Sequence, residues 1–171
     1  MLLETLWFFL PAFVANQFPG HGARWNVPGQ FPISRRWLGE NKTWAAYYMA
    51  ALASAFTFLC EQAMTDLNVL WGWYVSSNPL ESIWIGALFG IGAVFGDHVK
   101  SFVKRRLGIA SGAMWWPFDQ LDYVFGALLF VYPVSGWIGW EQFWILITVA
   151  LVGHLIVNWI GYKIGHRKTW W

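Results

Sequence analysis

The segment Gly96 to Asp122, GDHVKSFVKRRLGIASGAMWWPFDQLD, gathers three aspartates and four bases in a chain otherwise poor in charge. Asp97 precedes Lys100, Lys104, Arg105 and Arg106; Asp119 and Asp122 follow them. On a helix, Lys100 and Lys104 stand at i+3 and i+7 from Asp97 and share its surface, while Asp119 and Asp122 share one face of a following helix. Carboxylates suit Mg²⁺, which takes few protein ligands and shares its coordination with substrate phosphates. Bases beside them neutralise phosphate oxygens, so this mixture of signs fits a metal-bridged nucleotide. Each residue also has a plainer role. Asp119, after Pro117-Phe118, suits a helix N-cap, and Asp122 in the first turn would complement the helix dipole. The bases could bind anionic headgroups, a reading that best suits Arg106. Three acids on one side of a membrane chain, beside a basic run, favour a site.

Outside this block the signals are thinner. GENKTW (Gly39 to Trp44) has a phosphate-loop look but is not the G-x-x-x-x-G-K-[ST] motif. Lys42 could snorkel at a helix start, as could Arg35 and Arg36. Asn16, near the end of the first apolar run, needs a polar partner there. The four histidines have no zinc-ligand spacing. His154 and Asn158, at i and i+4, read as an interhelical hydrogen-bonding pair. Cys60 is the only cysteine, which excludes an internal disulfide and a cysteine metal cluster. It lies in an apolar run without a nearby base, so no Cys-His nucleophile can be argued.

The elements that must position these residues are apolar. The chain is 57% hydrophobic and 12% charged, about half the charge of a soluble domain. Its 15 tryptophans suit membrane interfaces. A span needs roughly 20 residues of helix, and five candidates emerge in one domain over residues 1–171: Leu2 to Phe18, Thr43 to Met64, Pro79 to Gly96, Asp119 to Val134 and Glu141 to Tyr162. Pro11 predicts a kink in the first, and the third continues into the basic segment as helix. No cleavable signal peptide is evident, because Glu4 replaces the basic start. The second loop carries Trp71, Trp73 and Tyr74.

All 11 lysines and arginines fall on one side of a five-span chain. Arg24, Arg35, Arg36 and Lys42 are in the first loop, Lys100, Lys104, Arg105 and Arg106 in the third, and Lys163, Arg167 and Lys168 in the tail. The other side has Glu4, Asp66, Glu81 and Glu141 and no base. The positive-inside rule then predicts an all-α integral membrane protein of five transmembrane helices with polar cytoplasmic loops, its N-terminus outside and its C-terminus cytoplasmic. Bases at membrane edges, rather than on an aromatic-basic sheet, argue against nucleic-acid binding.

The block GDHVKSFVKRRLGIASGAMWWPFDQLDYVFGAL (Gly96 to Leu128) resembles the signature region of the CDP-archaeol synthases, small relatives of the CDP-diacylglycerol synthases. Those families share a G-D, a K-R and a final D-x-x-D. LPAFVAN (Leu10 to Asn16), RRWLGENKTW (Arg35 to Trp44) and HLIVNWIGYKIG (His154 to Gly165) agree as well, in order along the chain. The resemblance implies a membrane lipid-biosynthetic cytidylyltransferase of five helices. Its substrates would be CTP and an unsaturated archaetidic acid, its products CDP-archaeol and pyrophosphate, its cofactor Mg²⁺. Asp97, Asp119 and Asp122 would hold the metal and, with Lys104, form the catalytic set. Lys100, Lys104 and Arg105 would hold the triphosphate or the lipid phosphate, with Lys42, Thr43 and Asn16 nearby. Two departures stand out. The family's G-K-T-W-R-G is here Asn41-Lys42-Thr43-Trp44-Ala45-Ala46, and Gln120 replaces an arginine usual in the phosphatidate-using branch, which favours the archaeol type.

Two alternatives remain at this point: the same chemistry on phosphatidate, and a non-enzymatic membrane scaffold or channel. The scaffold leaves the clustering of aspartates with bases unexplained. The five-span arrangement predicts that a reporter fused to the C-terminus reads as cytoplasmic; an extracytoplasmic reading would contradict it.

Overall fold

The computed structural model describes residues 1–22, 24–66, 78–110 and 113–165. Trp71, Trp73 and Tyr74 of the second loop, and His166, Arg167 and Lys168 of the tail, lie outside the described residues. Among these residues there are five α-helices: α1 (Leu2–Gln17), α2 (Trp44–Asp66), α3 (Pro79–Arg106), α4 (Phe118–Ser135) and α5 (Trp140–Lys163), with a 3₁₀ turn at Phe18–His21. Among the described residues there is no strand, only an isolated bridge between Pro32 and Thr43. The helix limits fall within two residues of the apolar runs, except that α3 ends at Arg106, ten residues past Gly96. Pro11 lies inside α1, buried in the core.

The third span does continue as helix. Pro79 occupies its first turn, and the Leu80 N–H donates to Asn78 Oδ1 at 3.0 Å, the pairing that helix starts favour. At 28 residues and about 1.5 Å per residue, α3 is about 42 Å long against a hydrocarbon core of about 30 Å. Its basic end therefore has length to spare beyond the apolar part. α3 and α5 are each long and apolar enough to cross a membrane. α1 and α4 are shorter, at 16 and 18 residues. In α2 the apolar residues are diluted by alanines, Ser54, Thr57, Glu61 and Gln62. Its outward face is nevertheless apolar: Leu52 and Phe56 are each 69% exposed, as is Leu129 of α4 at 62%. Apolar surface of this kind suits a lipid environment.

α3 is the central helix, packed extensively against α2 and α4, with α1 crossing against α2 and α3 and α5 leaning on α4 and α1. The core holds Phe8, Phe9, Phe58, Ile85, Phe89, Val124 and Leu146. Phe89 meets Phe8 and Phe9 edge-on, with ring centroids 5.3 and 5.6 Å apart. In lipid, helices associate through close packing, and small residues allow backbones to approach. α3 carries two such stripes. Gly86 and Gly90 press on Ala55, Ala50 and Ser54 of α2, and Gly92 and Gly96 press on Gly126, Ala127 and Asp122 of α4. The α4 stripe sets the site directly, because Gly96 abuts the backbone of Asp122 and precedes Asp97.

A Cβ at Gly126 would collide with the Gly92 carbonyl oxygen and stand 2.7 Å from the Gly96 nitrogen. Overpacking typically costs about 1–3 kcal/mol, and backbone atoms cannot step aside as side chains do. Gly126→Ala is expected to lower the thermal unfolding temperature in detergent and, by parting α3 from α4, to reduce activity. Wild-type values of both would refute this account of the contact.

Candidate active site

Every base of α3 stands at its far end because the apolar stretch stops at Gly96. There the helix faces the start of α4 and the end of the first loop. Lys100 is the hub. Its Nζ lies 3.0 Å from Asp97 Oδ1, 3.2 Å from Asp119 Oδ1 and 2.6 Å from Asp122 Oδ2. Lys104 Nζ lies 3.0 and 3.1 Å from the two Asp119 oxygens and also donates to the Ala113 carbonyl. Lys42, brought in by the first loop, pairs with Asp97 Oδ2. Three lysines thus meet three aspartates, and the cluster is neutral. The Asp122 side chain is 5% exposed and that of Lys104 7%. Breaking a buried pair by removing one partner costs roughly 3–5 kcal/mol, so each charge here holds its neighbours.

The structure revises several plainer roles. Asp119 is not an N-cap: Pro117 takes that position, with no side-chain cap. Asp119 lies in the first turn, and its Oδ2 accepts the Trp115 N–H at 2.5 Å. Asp122 Oδ1 accepts the Tyr123 N–H at 2.6 Å. Lys42 does not simply snorkel; it is tied to an aspartate 55 residues away. Arg106 stays out of the cluster, with its guanidinium carbon 4.1 Å from the Trp37 ring centroid. Asn158, read as a hydrogen-bonding residue, is fully buried with neither amide atom partnered.

Two polar pockets flank the cluster and share Asn41 and Lys42. One, of about 250 Å³, is lined by Asn16, Lys42, Asp97 and His98; the other, of about 230 Å³, by Lys100, Ser101, Lys104, Arg105 and Asp119. Asn16, Lys42, Asp97, Asp119, Lys100, Lys104 and Arg105 therefore line these two pockets, a set that the resemblance, rather than helical spacing alone, implies. Thr43 does not line either pocket. It bridges Pro32, while the Ile33 N–H donates to the Lys42 carbonyl at 2.8 Å, a pinch that aims Lys42 inward. Ala45 and Ala46 are buried and bring no polar group to the site.

The first loop is strapped over the end of α3 by stacking. Trp37 lies parallel to Phe102, with centroids 5.6 Å apart, and Arg106 caps the pair. His98 Nδ1 hydrogen-bonds Tyr47 Oη at 2.9 Å, which joins α3 to α2 beside the first pocket. Asn41, Trp37, Tyr47 and His98 were not legible as site residues. Each works through a contact between segments far apart in sequence, which no local spacing encodes. Gln120 marks a departure from the phosphatidate-using branch. It is fully buried, and neither atom of its amide has a partner.

The aspartates do not form a ready-made metal set. Among the described residues, no three His, Cys, Asp or Glu side chains are grouped so as to hold an ion; lysine ammonium groups face the carboxylates instead. The donor chemistry still fits. Three carboxylates from two helices lie within 3.2 Å of one cationic atom, Lys100 Nζ. Oxygen donors around one positive centre are what a hard divalent cation takes, once that ammonium moves aside.

Comparison with known proteins identifies the family. The family model for CarS-like CDP-archaeol synthase matches residues 1–171. The CDP-archaeol synthase of Methanococcus aeolicus is 34% identical over 174 residues, covering 100% of this chain and 97% of its own. That of Methanocaldococcus jannaschii is 33% identical, covering 100% and 98%. A solved structure of an intramembrane enzyme for archaeal membrane lipids biosynthesis superposes with a TM-score of 0.75 at 25% identity, over 92% of this chain and 94% of that one. With whole-length relatives and a shared membrane fold, the chain belongs to the CDP-archaeol synthase family.

Proposed function

We propose that this protein transfers CMP from CTP to an unsaturated archaetidic acid, an ether-linked isoprenoid glycerol phosphate, giving CDP-archaeol and pyrophosphate. The observation that carries this reading is the neutral cluster of three aspartates and three lysines between two polar pockets. Two pockets meeting at Lys42 suit two phosphate-bearing substrates. Five membrane spans with the N-terminus outside would put this cluster at the cytoplasmic interface of the cell membrane. A water-soluble nucleotide and a lipid headgroup can meet there.

Asp97, Asp119 and Asp122 would hold Mg²⁺, which when bound would neutralise charge on the nucleotide phosphates. The rest falls to the chain's own side chains. Lys104 and Arg105, lining one pocket, would bind and orient the triphosphate; Lys42, between the pockets, would draw both phosphates together. A lipid phosphate oxygen attacks the α-phosphorus of CTP. The new P–O bond forms as the bond from the α-phosphorus to its bridging oxygen breaks, and pyrophosphate leaves with the electron pair. The nucleophile is already anionic, so no general base is needed. Catalysis is positioning and charge neutralisation.

The test uses purified protein with CTP, Mg²⁺ and a panel of lipid phosphates, reading CDP-lipid by mass. CDP-archaeol is the expected product; preference for phosphatidate would replace the lipid assignment. Asp97→Asn, Asp119→Asn and Asp122→Asn should each cut Mg²⁺-dependent pyrophosphate release roughly 100-fold or more, the scale of losing a preorganised electrostatic contact. Near-normal activity in two of the three would refute the metal assignment.

A further inference from the structure

α1 and α5, with Tyr123 of α4, line an open cavity of about 510 Å³ that the catalytic cluster does not use. This is within the range of small-molecule sites, about 300–1,000 Å³. Along α1 the lining runs from Leu6 and Leu10 to Asn16; along α5 it runs from Val149 and Ala150 to Asn158. Both walls therefore change from apolar to polar in the same direction, because both helices run the same way across the five-span fold. Tyr123, next to Asp122, closes the polar end from α4. A lipid has the same gradient, with its hydrocarbon inward and its head toward the cytoplasmic interface.

Two observations point to an occupant. Asn158 is fully buried at the polar end, and both its amide oxygen and its amide nitrogen lack a partner. Buried polar groups are normally satisfied, so this amide offers a donor and an acceptor to whatever enters. Asn16 lines this cavity and also the polar pocket that holds Lys42 and Asp97. The two spaces thus share a wall, and a molecule lying in one can present its head to the other. The groove between α3 and α4 is the rival seat, since it too reaches the cluster. Its charged lining groups, Lys100 and Asp122, are already paired with each other, and it offers a headgroup nothing unmet.

We propose that the α1–α4–α5 cavity seats the lipid phosphate: one hydrocarbon chain lies between α1 and α5, the glycerol oxygens accept from the Asn158 amide, and the phosphate passes Asn16 toward Lys42. This placement rests on the reading of the chain as a lipid-phosphate cytidylyltransferase. Gly153 makes it testable, because it lines the cavity and a Cβ there meets nothing within 4 Å. A side chain at that position therefore starts into open space beside the cavity, and alanine is also the better helix former.

In the series Gly153→Ala, Gly153→Leu, Gly153→Phe, the KM for the lipid phosphate should rise with side-chain size, by about 10-fold or more for phenylalanine. The KM for CTP should stay unchanged. Asn158→Leu should weaken a glycerol-based lipid phosphate but not a simple alkyl phosphate, which has no glycerol oxygens. The proposal is overturned if Gly153→Phe keeps the wild-type lipid KM, or if Leu129→Trp in the α3–α4 groove raises it instead. Should Gly153→Phe fail to fold, Gly153→Ala and Asn158→Leu carry the same decision. A wild-type protein that transfers CMP to no lipid phosphate at all would overturn the underlying reading rather than the choice of cavity.

Discussion

One ammonium group between three carboxylates organises this molecule. Lys100 of α3 reaches Asp97 on its own helix and Asp119 and Asp122 on the next. That geometry exists only because α3 and α4 touch backbone to backbone at Gly92, Gly96 and Gly126. A side chain at any of these positions would hold the two helices apart, and Lys100 would lose its partners on α4. The core aromatics around Phe89 fix the opposite part of α3, and the glycine stripe against α2 fixes its other face. The site therefore sits on rigid elements, with one exception.

The exception is the first loop, which supplies Lys42 and Asn41. Among its described residues between His21 and Trp44 it carries no helix or sheet, so its position depends on specific contacts. The pinch of residues 32–33 against 42–43 orients Lys42. The stack of Trp37 on Phe102 under Arg106 holds the loop to the end of α3. An arginine guanidinium over an aromatic face is worth roughly 0.5–2 kcal/mol, enough to anchor a loop but not enough to freeze it. The cluster as it stands is neutral and self-satisfied. A nucleotide with its metal would replace lysine–aspartate pairs by lysine–phosphate and aspartate–metal pairs, an exchange between contacts of similar kind.

Much of this was legible in the sequence for a physical reason. Apolar runs of span length identify helices directly, so nine of the ten helix ends fall within two residues of those runs, and α3 alone runs ten residues on, from Gly96 to Arg106. The i+3 spacing of Asp97 and Lys100, and of Asp119 and Asp122, gave the shared faces. Helical register says nothing about which helix faces which: it places Lys104 on Asp97's surface, whereas the ion pair of Lys104 is with Asp119. Loop contacts were the least legible. Trp37 could be counted among many tryptophans, but its stack on Phe102 depends on how a 22-residue connection folds back. A polar residue in a span normally finds a partner, whereas Asn158 borders a cavity, which no local spacing encodes.

Removing the central ammonium tests the scheme most directly. Mn²⁺ binding to detergent-purified protein, followed by the loss of the free-ion electron paramagnetic resonance signal without nucleotide, compares wild type with Lys100→Met. If Lys100 occupies the place of a cation among the three carboxylates, its loss leaves uncompensated charge there. The expected result is Mn²⁺ affinity at least about 10-fold tighter in Lys100→Met, with the gain removed by adding Asp122→Asn. Mn²⁺ binding no tighter than in the wild type, in a variant that remains folded, would contradict the view that these aspartates form one cation site.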